Sequence, residues 1–178
     1  MTPDDFTALK LKVGKLTDKL GMPIDPGILE TVAALRAHGI NTIGSCEGHA
    51  DRITGGPYVM FEAPDVGPDE KAYRAIPDRL SPIYKNFYNA ATAKNVAEVQ
   101  KVLIHLDEFY KNRTTPANQR LIIHYFGPLA GKLACQGAGL AHILPPKEQA
   151  YLLKKSQTEM QAFTDFLIAL KVKSPRAA

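Results

Sequence analysis

Tryptophan is absent from this sequence and cysteine occurs only twice, at Cys46 and Cys135. Secreted domains held by disulfides carry more cysteines at closer, even spacing. Two reduced thiols in a cytoplasmic setting are therefore expected, with one long-range disulfide as the alternative. No stretch approaches the roughly 18–20 uninterrupted apolar residues of a membrane span. The opening Met1-Thr2-Pro3-Asp4-Asp5 has no basic region leading into an apolar run, so no signal peptide is read from it. A soluble protein with no membrane partner is the expectation. Charge of one sign is scarce too, 22 Lys+Arg against 18 Asp+Glu leaving +4. That balance permits a nucleic-acid or other anionic partner without requiring one. Repeats and low-complexity tracts are also missing.

What is present suits a core. Hydrophobic residues make up 45% of the 178 positions and charged residues 22%, with 7 Tyr and 7 Phe as large apolar groups. A chain of this length fits a single domain, 1–178.

Residues 4–20 place Phe6, Leu9, Val13, Leu16 and Leu20 at helical spacing, interleaved with lysines, and predict an N-terminal helix ended by Gly21. Asp25 as N-cap, Pro26 at the first helical position, the stripe Ile28, Val32, Leu35 and the terminal Gly39 predict a helix over 26–38. The β-branched run 40–45 and the run 58–62 read as strands. From 68 to 113 the pattern is helical and divided by Pro77 and Pro82. Tyr84, Phe87, Tyr88 and Ala91 mark one helix face, and Val96, Val99, Val102, Leu103, Leu106 and Tyr110 mark the next helix. Residues 119–126 form a strand, and after a turn over 127–131 the stretch 132–136 returns as its antiparallel partner or as a helix. Pro145-Pro146 opens a closing helix, and 171–178 reads as a frayed tail. This order predicts an α+β fold, a small, mainly antiparallel sheet of about four strands covered by helices.

The chemistry concentrates after the first strand, in Ser45-Cys46-Glu47-Gly48-His49 followed by Asp51 and Arg52. Polar residues on a loop held by a rigid element are where sites tend to form, and Gly44 and Gly48 let the backbone turn tightly. Cys46 could act as a nucleophile with His49 favouring its thiolate. Alternatively Cys46 and His49, two residues apart, could supply half of a zinc site completed by His124, Cys135 or His142. Thirdly, Ser45, Gly48 and other backbone amides, with Arg52, could hold an anionic group while Glu47 accepts from a base or sugar. A metal is the least favoured of the three, since no second close Cys/His pair exists. The bland reading is a cysteine filling space beneath a strand end and solvated loop residues around it.

The pentapeptide, preceded by Gly-Met-Pro-Ile-Asp-Pro-Gly-Ile and Leu-Arg-Ala-His-Gly-Ile and followed by Pro57-Tyr58-Val59, resembles a pattern in a group of short bacterial and phage proteins with no settled activity. That likeness covers about residues 21–62 and implies a domain boundary and a site more than a function. The loop is also similar to the Ser-Cys-Ser-Gly-Arg segment of the tRNA wybutosine-synthesising protein 3 family, methyltransferases acting on tRNA. Glu47 stands for the second serine and His49 for the arginine, and a likeness this short implies no activity.

His124 on the strand 119–126 reads as a packed residue unless that strand lies beside the Cys46 loop, where it could serve as base or ligand. Gly137 and Gly139 before His142 lack the lysine and spacing of a phosphate loop. Basic and aromatic residues interleave over 71–94, a mixture that can bind single-stranded nucleic acid but more often is a core face backed by a solvated face. The expectation is a small-molecule, anionic or nucleotide-like ligand bound at 45–52 together with His124, with Cys46 and His49 as the reactive pair if chemistry occurs. The alternatives are a non-enzymatic protein-interaction or inhibitory module and RNA or single-stranded nucleic-acid binding.

Overall fold

A computed structural model describes residues 1–18, 20–50, 55–66, 75–127 and 130–172. The first two helices are α1, Pro3–Val13, and α2, Pro26–Ala37. Strands β1, Thr42–Cys46, and β2, Tyr58–Phe61, follow. Then come α3, Pro82–Tyr110, strands β3, Leu121–Tyr125, and β4, Gly131–Cys135, and finally α4, Pro146–Lys171. Short 3-10 turns at Ala117–Gln119 and Gln136–Ile143 flank the second strand pair. The strands form one four-stranded sheet in the order β1-β2-β4-β3, every neighbour antiparallel, so the expected α+β architecture is the one observed.

Alternation along the strands divides the sheet into two faces. Val59, Phe61, Leu133, Cys135 and Leu121 join the main core with Ile28, Val32 and Leu35 of α2, Val102, Leu106 and Phe109 of α3, and Met160, Phe163 and Leu167 of α4. The other face carries Cys46 opposite Tyr58, and Met60 opposite Lys132, which in turn faces His124. The hydroxyls of Thr31 and Thr164 share a buried hydrogen bond of 2.7 Å that ties α2 to α4.

Two helix boundaries depart from the sequence pattern. The first helix stops at Val13 instead of reaching 20, and Leu16 and Leu20 are exposed despite their helical spacing. Gly14 is its C-cap, and the chain beyond turns instead of continuing: the Asp18 carboxylate accepts from the amides of Leu20 and Met22 at 2.8 and 2.9 Å, and Gly21 has φ +79°. A side chain able to bond its own following backbone competes with helix in this way. Conversely, α3 is one unbroken helix of 29 residues where two were expected. Pro82 starts it behind Ser81, whose Oγ accepts from the Tyr84 amide, and Ala91, Asn95, Glu98, Val102, Leu106 and Phe109 form its single buried stripe. The polar members disguised that stripe in the sequence. Asn95 belongs to it because its side-chain oxygen accepts from the Ala63 amide at 2.7 Å. The expected strand boundaries hold to within about two residues, and 131–135 is a strand rather than a helix. The tail beyond 172 lies outside the described residues.

A histidine pair gives the fold a pH signature. His38 and His105 meet edge to face at 4.4 Å, and His38 also bonds the Leu167 carbonyl through Nε2. Burial holds His105 below its ordinary value of 6.5, and the nearby His38 and Lys171 charges push the same way. A histidine with a depressed folded pKa is protonated first in the unfolded chain, so stability falls as pH drops below about 6.5. Melting scans between pH 7.5 and 5 should show this decline, and His105→Gln should flatten it. A wild-type slope unchanged by that substitution would assign the pH dependence elsewhere.

Candidate functional site

The loop after β1 returns to the start of α2, and its geometry begins with an exchange of helix caps. Asp25 occupies the N-cap position but makes no side-chain cap bond. Its Oδ2 accepts from the Glu47 amide at 3.1 Å instead. Glu47 takes over the capping, its Oε2 accepting from the Gly27 amide at 2.7 Å. A carboxylate at a helix N-terminus is stabilised by the exposed amides and by the helix dipole. Gly27, a weak residue by helix propensity, earns its place sterically: a Cβ there would stand 2.7 Å from Glu47 Oε2.

Gly48 makes the return possible. Its φ of +87° is a left-handed conformation. A Cβ there would approach Leu153 Cδ1 and Pro57 N to 2.8 Å and the Gly55 carbonyl oxygen to 2.9 Å. From α4, the Gln157 side-chain amide donates to the Glu47 carbonyl at 3.2 Å and fixes the loop from the other side. The Gly48 amide donates to Cys46 Sγ at 3.4 Å.

So held, the loop brings Cys46, His49 and Asp25 together: one donor atom from each lies within 4.8 Å of both others. His49 Nε2 stands 3.5 Å from Asp25 Oδ2. It is not directed for a hydrogen bond, and Nε2 is a solvent-inaccessible nitrogen with no hydrogen-bond partner among the described residues. Cys46 is only 6% exposed. Its partner across the strand pair is Tyr58, and Lys132 of β4 holds its Nζ 4.4 Å above the Tyr58 ring centre. Burial lowers the Lys132 pKa, and the charge interaction with Cys46 opposes that shift.

The other thiol is of a different kind. Cys135 is completely buried, on the core face, with Sγ donating to the Gln119 carbonyl at 3.3 Å. Burial pushes its thiol up to about 11. Neither cysteine forms a disulfide, and Cys135 is not part of the Asp25–Cys46–His49 group.

The remaining residues of the pentapeptide are dealt out to separate surroundings. Ser45 lines a pocket of about 230 Å³ with Arg36 and Thr42, while Glu47 lines a groove of about 600 Å³ between α2 and α4. Lys154, Gln157, Gln161 and Asp165 form much of that groove's far wall. His124 stays away from the loop. It lies on β3, at the opposite edge of the sheet from β1, with three strand spacings of about 4.8 Å each between them. Asp51 and Arg52 fall outside the described residues, as do Lys71, Tyr73 and Arg74 of the basic–aromatic stretch. Of that stretch's other aromatics, Phe87 packs onto Ala63, Val66 and Ala91, and Tyr84 stacks on Tyr88.

Sequence reasoning missed Asp25 as a site residue because its N-cap pattern explained it fully. It missed Lys132 because only the register between β2 and β4 brings that lysine near Cys46. No protein-family model, no curated protein and no solved structure matches this chain. Among the described residues no helix is long and apolar enough to cross a membrane.

Proposed function

We propose that this chain binds a small polar ligand of nucleotide-like character at the corner where β1 meets α2, with the α2–α4 groove receiving the body of the ligand. The observation that carries the reading is the exchange of caps. An aspartate at the N-cap position turns its carboxylate toward a cysteine and a histidine, and a glutamate from another element caps the helix in its place. A loop that only had to close would need no such substitution.

The groove supports it. Its volume lies in the range of about 300–1,000 Å³ common to small-molecule sites, and its walls offer both signs of charge. Lys154 suits an anionic group, and Glu47 and Asp165 suit the donors of a base or sugar. Covalent chemistry at Cys46 has less support, because reactive cysteines are usually more accessible than one at 6% exposure. The Ser45 pocket and His124 are not needed. The alternative of a protein-interaction module has one favourable observation, the exposed Ile83, Leu103 and Ile104 on α3.

The test is a thermal-shift panel of nucleotides, nucleosides and small carboxylates. At a ligand concentration of about 100 Kd the stabilisation is about 2.7 kcal/mol, which for a domain of this size raises Tm by about 5–10 °C. That rise should vanish in the Glu47→Ala/His49→Ala double variant. A panel without a single shift, or a shift that survives the double substitution, rejects this reading, and the first result favours the interaction module.

A further inference from the structure

We propose that Asp25, Cys46 and His49 form a binding site for a zinc-class divalent metal ion. The inference deepens the ligand-binding reading of the same corner, and its test is chosen so that either can fail alone.

The first argument is the arrangement of donors. In a nucleophile–base–carboxylate relay the imidazole stands between its two partners and each ring nitrogen serves one of them. In this corner a sulfur, a nitrogen and a carboxylate oxygen instead lie within 4.8 Å of one another, as ligands around a common centre do. Tetrahedral zinc with bonds of about 2.0–2.3 Å sets its donors about 3.3–3.8 Å apart. The His49–Asp25 separation of 3.5 Å already matches, and the widest gap needs to close by about 1 Å to reach the same spacing.

His49 Nε2 is buried without a hydrogen-bond partner among the described residues. Leaving a polar atom in that state is unfavourable, and a metal ion would satisfy it. Asp25 points the same way, having left the α2 N-terminus to Glu47.

The outer contacts are those a metal ligand needs. The Glu47 amide donates to Asp25 Oδ2 and the Gly48 amide donates to Cys46 Sγ, so two ligand atoms that carry charge when bound are already oriented by backbone donors. The donor set selects the class of ion. Magnesium and calcium take oxygen ligands, whereas a thiolate with an imidazole and a carboxylate suits zinc and its first-row neighbours. Three protein ligands leave a fourth position open for a small polar ligand.

Chelator-treated full-length protein titrated with zinc chloride by calorimetry, and with cobalt chloride by absorbance, tests the proposal. Binding of one ion per chain is expected, with a thiolate-to-cobalt charge-transfer band in the near ultraviolet. His49→Gln and Cys46→Ser should each weaken zinc binding by more than the roughly 10–100-fold that loss of an outer-shell partner costs, and Cys46→Ser should abolish the band. His124→Gln should change neither. Melting curves of the metal-free variants show whether each is folded, and His49→Gln carries the test if Cys46→Ser is not. Absence of binding, or affinity unchanged in a folded His49→Gln variant, overturns the proposal. Thermal-shift ligands that bind equally well with and without chelator would then leave the ligand-binding reading standing on its own. Zinc binding with no responsive ligand would leave the metal site alone standing.

Discussion

Gly48→Ala is expected to abolish metal and ligand binding while lowering stability by several kcal/mol. Two costs add at this position. A non-glycine residue held at φ +87° is strained by about 1–2 kcal/mol. The new methyl group would also meet Leu153 Cδ1, Pro57 N and the Gly55 carbonyl oxygen at under 3 Å, an overpacking that typically costs about 1–3 kcal/mol. Two of those three neighbours are backbone, so the loop rather than a flexible side chain has to yield. Displacing it separates His49 from Asp25 and removes the Gly48 amide from Cys46 Sγ. Gly39→Ala is the natural control: its φ of +75° imposes comparable strain, but among the described residues nothing beyond its chain neighbours lies within 4 Å of the added carbon. Denaturant melts should place Gly39→Ala at about 1–2 kcal/mol below wild type and Gly48→Ala at about 2–5. Only Gly48→Ala should lose zinc affinity. Equal stability losses with binding intact in both would show that the loop's shape does not organise the corner.

Phe163→Ala should have the largest effect on stability and almost none on the site. Phe163 is fully buried on α4 and packs edge to face on Phe109 of α3 with ring centres 5.2 Å apart. It also stacks against Phe166 at 6.3 Å. Truncating a buried phenylalanine removes its transfer energy and leaves a cavity, together about 3–5 kcal/mol. For a domain of this length the loss is roughly 6–20 °C in Tm. The aromatic contact couples α3 to α4, so the two helices should loosen together. In the folded fraction, zinc affinity should stay within about threefold of wild type, because distant sites with no shared partner act nearly independently. A drop in affinity as large as that of His49→Gln would mean that the site depends on core packing as a whole.

Much of the architecture was legible in the sequence because local and global preferences agree there. Asp25-Pro26 at the start of α2 and Pro145-Pro146 before α4 mark helix entries, and the β-branched runs at 40–45 and 119–126 mark strands. The errors arose where a local signal had two explanations. Leu16 and Leu20 keep helical spacing, yet the helix stops at Gly14 and the Asp18 carboxylate holds the following residues in a turn. Asn95 and Glu98 sit in the buried stripe of α3, so a single helix read as two. The candidate site was half legible. Cys46 and His49 stand in one loop, and their proximity follows from spacing and Gly48. Asp25 comes from across a helix start whose capping pattern concealed it, since the glutamate that replaces it as cap lies 22 positions further on. His124 attracted notice as a histidine on a strand, and only the order β1-β2-β4-β3 shows that the strand is at the far edge.

The central claim is that the corner joining β1 to α2 is a built binding site. Amide chemical-shift mapping tests it most directly, using isotope-labelled full-length protein and whichever panel compound or metal ion shifts its melting. The account predicts that the perturbed amides cluster at Gly27, Glu47, Gly48, His49 and Gln157 while those of β3, including His124, stay in place. Perturbations centred on α3 or on the Ser45 pocket, with Gly27 and Gly48 unmoved, would contradict it.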